Sequence, residues 1–466
     1  MTDTEIAPEP FRGRFFILGP PVALLLFGQA LTGTVLTDLI LYRTCLFSLN
    51  INLTECNILR TNASSPEAII LEAKVQPYAS MILLAKSIIE NLLPAIASLF
   101  LGSWSDRAGR RPLLLLSLAG FTMLHVSHAL ISIWDMNPWY LVIPSVPAFS
   151  FGGVCAIMIA AMCHISDSTT EKERTMLMTW LQASVFLGII LGRFITPLIF
   201  NSYGYTAVFG TSAICCIVAL IYTFFIVPET VRDASKESIR GLFRISAIRE
   251  LFITAFQRRD GFQRSVVWLS IFTLTLTGLI FQGETSIEFL FTRARLGWDV
   301  QHYSYVNGIG YMLSMPCMII GIALFSRVLG FSDTLISGIA FAACLGSALT
   351  EALTTKSWHL YLAYGIGFFG GAMEPVMRSI ISKSVPAKDI GKVLSLTNSL
   401  QTLSPLAGAP LYTLIYSNYL PPIYPSPVYL ISASFFATLI LVTACIGILI
   451  RKSRDTSYVP VVGEDN

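Results

Sequence analysis

The chain of 466 residues carries 31 basic and 28 acidic residues for a formal net charge of +3, and 54% of it is hydrophobic against 13% charged. A mean hydropathy of +0.67 excludes a water-facing globular surface, and the small net charge excludes a nucleic-acid partner. Of nine cysteines, seven lie inside apolar stretches, which excludes a disulfide-built secreted domain and a zinc cluster.

Inside lipid every backbone polar group must be satisfied within its own segment, and a hydrocarbon core about 30 Å thick takes roughly 20 apolar residues per helix. The first such run opens near Phe15 and continues to about Leu41. It exceeds the roughly 7 to 15 residues of a signal h-region and reads as a retained first span, 15–42. The connection after it, about 43–75, holds Cys45 and Cys56, expected to join in an oxidising compartment. It also holds two N-x-S/T sequons, at Asn52 and Asn62, expected to be glycosylated. Further spans are predicted near 76–101, 113–134, 139–164, 176–201 and 206–227. A connection at 228–265 then alternates charges with apolar residues, as in Ile239-Arg240-Gly241-Leu242-Phe243-Arg244, and reads as an amphipathic interfacial linker. Six more spans follow near 266–291, 303–326, 334–353, 358–382, 393–417 and 429–450, before a tail at 451–466. The reading is an all-α membrane protein of twelve helices, with one six-helix bundle in 1–227 and a second in 266–450.

Lys and Arg set the orientation. With a cytoplasmic N-terminus the inner segments carry 22 of them and the outer segments six, a bias that places both termini in the cytoplasm. The sequons fall on the opposite, outer side and agree with that topology. In the tail, Tyr458-Val459-Pro460-Val461 has the Y-x-x-Φ form of a sorting signal read by an adaptor, Tyr458 and Val461 being its two anchors, and Pro460 favours the extended conformation in which such signals are bound.

Between the second and third spans stands Gly102-Ser103-Trp104-Ser105-Asp106-Arg107-Ala108-Gly109-Arg110-Arg111-Pro112. This resembles the G-x-x-x-D-R-x-G-R-R-P signature of major facilitator transporters at every defined position. An acid beside clustered arginines on a short turn can bind neighbouring helix ends in one conformation and release them in another. Gly102, Asp106, Arg107, Gly109, Arg110 and Arg111 are therefore expected to form a conformational latch. Pro228-Glu229-Thr230 closing the sixth span is similar to another recurrent feature of that superfamily, and Ser326-Arg327 to Asp333 is a degenerate echo of the latch.

The whole layout further resembles the proton-coupled folate transporter family, solute carrier family 46. The features that carry this are the Cys-bearing outer segment, Ile165-Ser166-Asp167-Ser168, Leu181-Gln182-Ala183-Ser184, Glu374-Pro375-Val376-Met377-Arg378 and Asn398-Ser399-Leu400. The resemblance implies transport of folates, other organic anions or small amphipathic compounds, at the plasma membrane or out of lysosomes. The folate branch has a glutamate where this chain has Gln182, an aspartate where it has Gly153, and a histidine in the seventh span that has no counterpart in 266–291. The resemblance therefore does not extend to folate itself or to that branch's proton route.

A central charge in a span costs roughly 2.5 to 3.5 kcal/mol on insertion scales, so it normally faces a cavity or a partner. Lys86 and Glu90 stand four apart and can neutralise each other, or Glu90 can serve the transport cycle. Glu284 and Glu288 repeat that spacing with two acids, the arrangement a proton carrier needs, unless Glu288 lies in a solvated outer vestibule. Glu374 and Arg378 follow the glycine-rich run 365–371. The resemblance places Arg378 near substrate, with Glu374 and Gln182, and a guanidinium fork suits a carboxylate. The run spells G-x-G-x-x-G without any strand before it, so it reads as close helix packing and not as a dinucleotide site. Asp38 and Arg193 are single charges that can pair. His125, His128 and His164 lack a carboxylate partner in sequence and read as structural, so no metal or other cofactor is expected. The absence of a G-x-x-x-x-G-K-[ST] loop argues against ATP-driven pumping.

The expectation is a secondary transporter, with no enzymatic chemistry, that moves a small organic solute, an organic anion by preference, by alternating access with protons as the coupling ion. Its partners are the bilayer, the solute and a sorting adaptor. The alternative is a non-transporting receptor or scaffold on the same fold.

Overall fold

The computed structural model describes residues 17–61, 65–168, 171–231, 263–385, 393, 396–397, 400–401, 403–419 and 423–457. Every regular element among them is helical. The first apolar run forms α1 (Gly19–Arg43) and ends in a π-turn, Thr44–Ser48. The segment after it folds into a short helix, α2 (Leu53–Thr61), tied back to the π-turn by a Cys45–Cys56 disulfide with Cα atoms 5.9 Å apart. The second span is far longer than its apolar stretch: α3 (Pro66–Ala108) runs 43 residues. Hydropathy marks only the lipid-facing part of a helix, and Glu, Lys and Ala extend it at little cost beyond the bilayer.

After α4 (Arg110–Ile133) the predicted fourth span is broken. It begins with a 3-10 turn, Pro138–Leu141, continues through α5 (Ser145–Ser150), and resumes as α6 (Gly153–Ser168). The fifth and sixth spans are joined without a loop in α7 (Glu171–Ile226), which leaves helical geometry only at Gly204. The second half of the chain gives α8 (Arg264–Leu296), α9 (Val300–Ala323) and α10 (Asp333–Ala352). The glycine-rich run divides the tenth span into α11 (Ser357–Gly367), a 3-10 segment Phe368–Ala372 and α12 (Met373–Lys383). The last helices are α13 (Pro405–Asn418) and α14 (Pro427–Ser457).

Among the described residues nine stretches are by themselves long and apolar enough to cross a bilayer. One of them, Trp180–Ile226, is 47 residues long and contains two predicted spans. The tenth span falls short as a single helix because it is broken at 368–372, and the eleventh because 394–395, 398–399 and 402 in its first part lie outside the described residues. The chain is an all-α, twelve-span membrane fold. Phe225, Val328 and Leu441, each about two-thirds or more exposed, show what the solvent of the outer faces is: apolar side chains pointing outward are stable there only against lipid.

The helices form two compact units, residues 1–39 with 96–244, and 40–95 with 245–466. The core of the first packs Leu25, Phe121, Ala160 and Cys216 where α4 meets α6 and α7. The core of the second includes Val267, Ile271, Met377, Ile381 and Ile446, from α8, α12 and α14. The end of α1, α2 and most of α3 belong to the second unit. Their polar side chains bond α8 and α13: Gln76 donates to the Leu290 carbonyl (3.2 Å) and accepts from the Tyr416 hydroxyl (2.9 Å). The expected linker residues 232–262, the sequon residue Asn62, and Tyr458 and Val461 lie outside the described residues.

Candidate functional site

In the second unit, Glu284 and Glu288 stand one turn apart on α8 and face the same cavity of about 350 Å³, as an i, i+4 pair must. Phe281, Tyr311, Phe368 and Phe436 form much of its wall, and among the described residues no Lys, Arg or His belongs to the lining. Glu288 accepts hydrogen bonds on both oxygens, from Tyr364 on α11 (2.5 Å) and from Tyr303 on α9 (3.2 Å). Ser432 lies beside Glu284, its hydroxyl 2.7 Å from that of Tyr412. The Oε1 of Glu284 is buried without a partner, as is the Oδ1 of Asn307 in the same lining.

A third carboxylate, Glu351 of α10, completes the cavity. Sequence reasoning passed it over because it sits near the end of a predicted span, where an acid reads as interfacial. The available signal was local: Ser347 and Glu351 are an i, i+4 polar pair on one face, and their side-chain oxygens lie 3.0 Å apart. Three carboxylates without a basic neighbour in a low-dielectric cavity lack counter-charge, and protons can supply it.

The other expected site residues lie elsewhere. Glu90 is paired with Lys86 at 2.6 Å on α3 and is absent from the cavity lining. Arg378 donates through Nη2 to Glu374 Oε1 (2.8 Å) and to Gln401 Oε1 (2.8 Å), with about a third of its side chain exposed. Gln182 is an exposed residue of α7 in the first unit. Also in that unit, Asp38 accepts from the Tyr205 hydroxyl (2.5 Å) and Arg193 donates to Thr34 (3.0 Å). His125 bonds Gln29, while His128 and His164 bond the Leu141 and Pro228 carbonyls. No group of metal-ligating side chains occurs among the described residues.

The latch sequence spans the α3–α4 junction. Gly102, Asp106 and Arg107 lie in the last turns of α3, and the side chains of Asp106 and Arg107 are outside what is described. Gly109 turns the chain with φ +108°, a conformation costly to any residue with a Cβ. Arg110 donates to Asp167 of α6 (2.9 Å) and to Ser105 (2.6 Å). Glu229, from the Pro-Glu-Thr segment, accepts the backbone N–H groups of Arg110 (2.9 Å) and Arg111 (3.1 Å). A carboxylate there satisfies free donors and complements the positive end of α4. Arg111 donates to the Phe224 carbonyl and stacks over the Phe224 ring. The signature residues thus bond Asp167 and Glu229, the acids of the Ile165-Ser166-Asp167-Ser168 and Pro228-Glu229-Thr230 motifs.

Residues 78–409 match the family model of the Major Facilitator Superfamily. Over 90% of its length the chain is 27% identical to a probable peptidoglycan muropeptide transporter of Drosophila melanogaster, covering 84% of that protein. It is also 27% identical to a lysosomal proton-coupled steroid conjugate and bile acid symporter of Rattus norvegicus, covering 91% of this chain and 94% of that one. The proton-coupled folate transporter of Bos taurus is 23% identical over 70% of each chain. Among solved structures, the D-xylose-proton symporter matches with TM-score 0.64 at 16% identity over 92% of this chain and 96% of that one, and shares the fold. The chain belongs to the Major Facilitator Superfamily; it is a multi-pass membrane transporter and not an enzyme.

Proposed function

We propose that this member of the Major Facilitator Superfamily is a proton-coupled symporter of an amphipathic organic anion, working by alternating access between bundles 1–227 and 266–450. The observation that carries the reading is the cavity with Glu284, Glu288 and Glu351 in its wall and no basic side chain beside them. Such a cavity takes up and returns protons without any cofactor. The relatives support the solute class, since muropeptides, folates, bile acids and anionic steroid conjugates are all organic molecules that carry an anionic group. Arg378 holds that anion, and Glu374 and Gln182 are further solute-binding residues; Nε and Nη2 of Arg378 both donate to Glu374 Oε1, a place that a solute carboxylate can take. Glu284 and Glu288 carry the coupling charge, and Glu90, engaged with Lys86, stands in reserve. The residues 102–111 bias the conformational equilibrium without touching solute. Both termini are cytoplasmic, Asn52 and Asn62 are glycosylated on the far side, and an adaptor reading Tyr458 and Val461 sorts the protein between plasma and endolysosomal membranes.

The test is uptake into proteoliposomes of taurocholate, a steroid sulfate, folate and muramyl dipeptide, with and without an inward proton gradient. At least one probe is driven inward by the gradient, with acidification of the lumen. If none is taken up or exchanged while binding of one persists, the protein is a receptor on a transporter fold and the proposal falls.

A further inference from the structure

We infer that Glu351 is a proton-coupling residue of the transport cycle and that its proton is read by helix α11 through Ser347. The inference rests on the proton-coupled reading above and deepens it. Its basis is a count of donors. The Ser347 hydroxyl oxygen lies 3.0 Å from Glu351 Oε1 and 2.9 Å from the Ala363 carbonyl oxygen of α11. A hydroxyl has one proton to donate and can accept in return. With Glu351 ionised, Ser347 can satisfy either the carboxylate or the Ala363 carbonyl, not both. With Glu351 protonated, the new O–H donates to Ser347, and Ser347 donates to Ala363. Both short contacts are then hydrogen bonds.

The step is a plain proton transfer: an O–H bond forms on the Glu351 carboxyl as one on hydronium breaks, and the carboxylate loses its negative charge. On the opposite side of the membrane water takes the proton back. What changes in the protein is the bond between α10 and α11, at a point where the helices touch closely: a Cβ added to Gly367 would lie 3.0 Å from Ser347 Oγ. Immediately beyond Gly367 the backbone leaves α-helical geometry for the 3-10 segment Phe368–Ala372, which itself lines the cavity. A proton on Glu351 therefore strengthens the attachment of α11 next to its break, and loss of the proton loosens it.

The other titratable groups around the cavity differ from Glu351 in their donors. Glu288 accepts a tyrosine hydroxyl from α9 or α11 on each oxygen, so donors already offset part of its charge. Glu284 shares the cavity and has an oxygen without a partner, so it is a second acid there that can take a proton. Cys344 of α10, Tyr311 of α9, Tyr364 of α11 and Tyr429 of α14 also belong to the lining, and none supplies positive charge.

Infrared difference spectroscopy of the full-length protein in lipid, on a pH jump from 7.4 to about 5.5, reads carboxyl protonation without any solute. A carboxylic C=O band grows on acidification of the wild type. Glu351→Gln loses a distinct component of it, Ser347→Ala shifts the frequency of that component without removing it, and Glu288→Gln retains it. A band unaltered by Glu351→Gln, or a component that Ser347→Ala does not shift, overturns the inference. Taurocholate uptake in proteoliposomes is measured alongside: Glu351→Gln loses the acceleration by an inward proton gradient. If the wild type shows no such acceleration with any of the four probes, the transport reading fails, while the infrared result still decides whether Glu351 takes a proton that Ser347 senses.

Discussion

Glu72 and Arg293 form an ion pair with side chains only 2% and 3% exposed, although they are 221 residues apart, one on α3 and the other near the end of α8. Arg293 also donates to the Leu59 carbonyl of α2 (2.6 Å) and lies over the Phe289 ring. A buried pair offsets its desolvation only when its remaining hydrogen-bonding capacity is filled, and here α2 helps to fill it.

Removing one partner leaves an uncompensated buried charge. Arg293→Ala is expected to destabilise the protein by about 3–5 kcal/mol, whereas the double variant Glu72→Gln/Arg293→Met recovers most of that loss because no charge remains. Thermal unfolding in lipid nanodiscs compares the two; a double variant no more stable than the single one counts against the pair.

The latch should act on rate. Arg110→Ala, which frees Asp167, and Asp106→Ala are expected to lower turnover about tenfold, equivalent to roughly 1.4 kcal/mol, with a smaller effect on KM. Gly109→Ala should be at least as harmful, since its backbone is at φ +108° and a Cβ would overlap the Glu229 carboxylate. Initial rates against solute concentration separate kcat from KM, and a change confined to KM contradicts the assignment.

Arg378 and Glu284 should fail differently. Arg378→Ala weakens binding at every pH, and Arg378→Lys restores little, because an ammonium cannot present the planar pair of Nε and Nη2 donors that now converge on Glu374. Wild-type uptake rises as outer pH falls, since a proton must be bound on the acidic side; Glu284→Gln flattens that profile. Full acid stimulation in Glu284→Gln removes it from the coupling group.

Asn52 is exposed beside the disulfide-tied helix α2, accessible to glycosylation. Glycosidase treatment is expected to shift the gel mobility of the membrane-expressed protein in two steps, one lost in Asn52→Gln and one in Asn62→Gln. No shift at all would put the outer segment on the wrong side. Tyr458→Ala should redistribute the protein towards the cell surface, and an unchanged distribution shows the tail signal to be idle.

The sequence by itself determined what depends on near neighbours along the chain. The length of each apolar run set the spans, because a helix must satisfy its own backbone in lipid. One-turn spacing placed Lys86 against Glu90, Glu374 against Arg378, and Glu284 with Glu288 on one cavity wall. It missed the breaks in the fourth and tenth spans, because hydropathy is indifferent to backbone conformation. The tertiary structure alone decided which distant partners meet: Arg110 with Asp167, the start of α4 with Glu229, Glu351 with the α8 acids, and Arg293 with Glu72. Such meetings depend on which face each helix turns to its neighbour. Packing of side-chain shapes fixes that rotation, and an apolar sequence whose every face is hydrophobic carries almost no periodic trace of it.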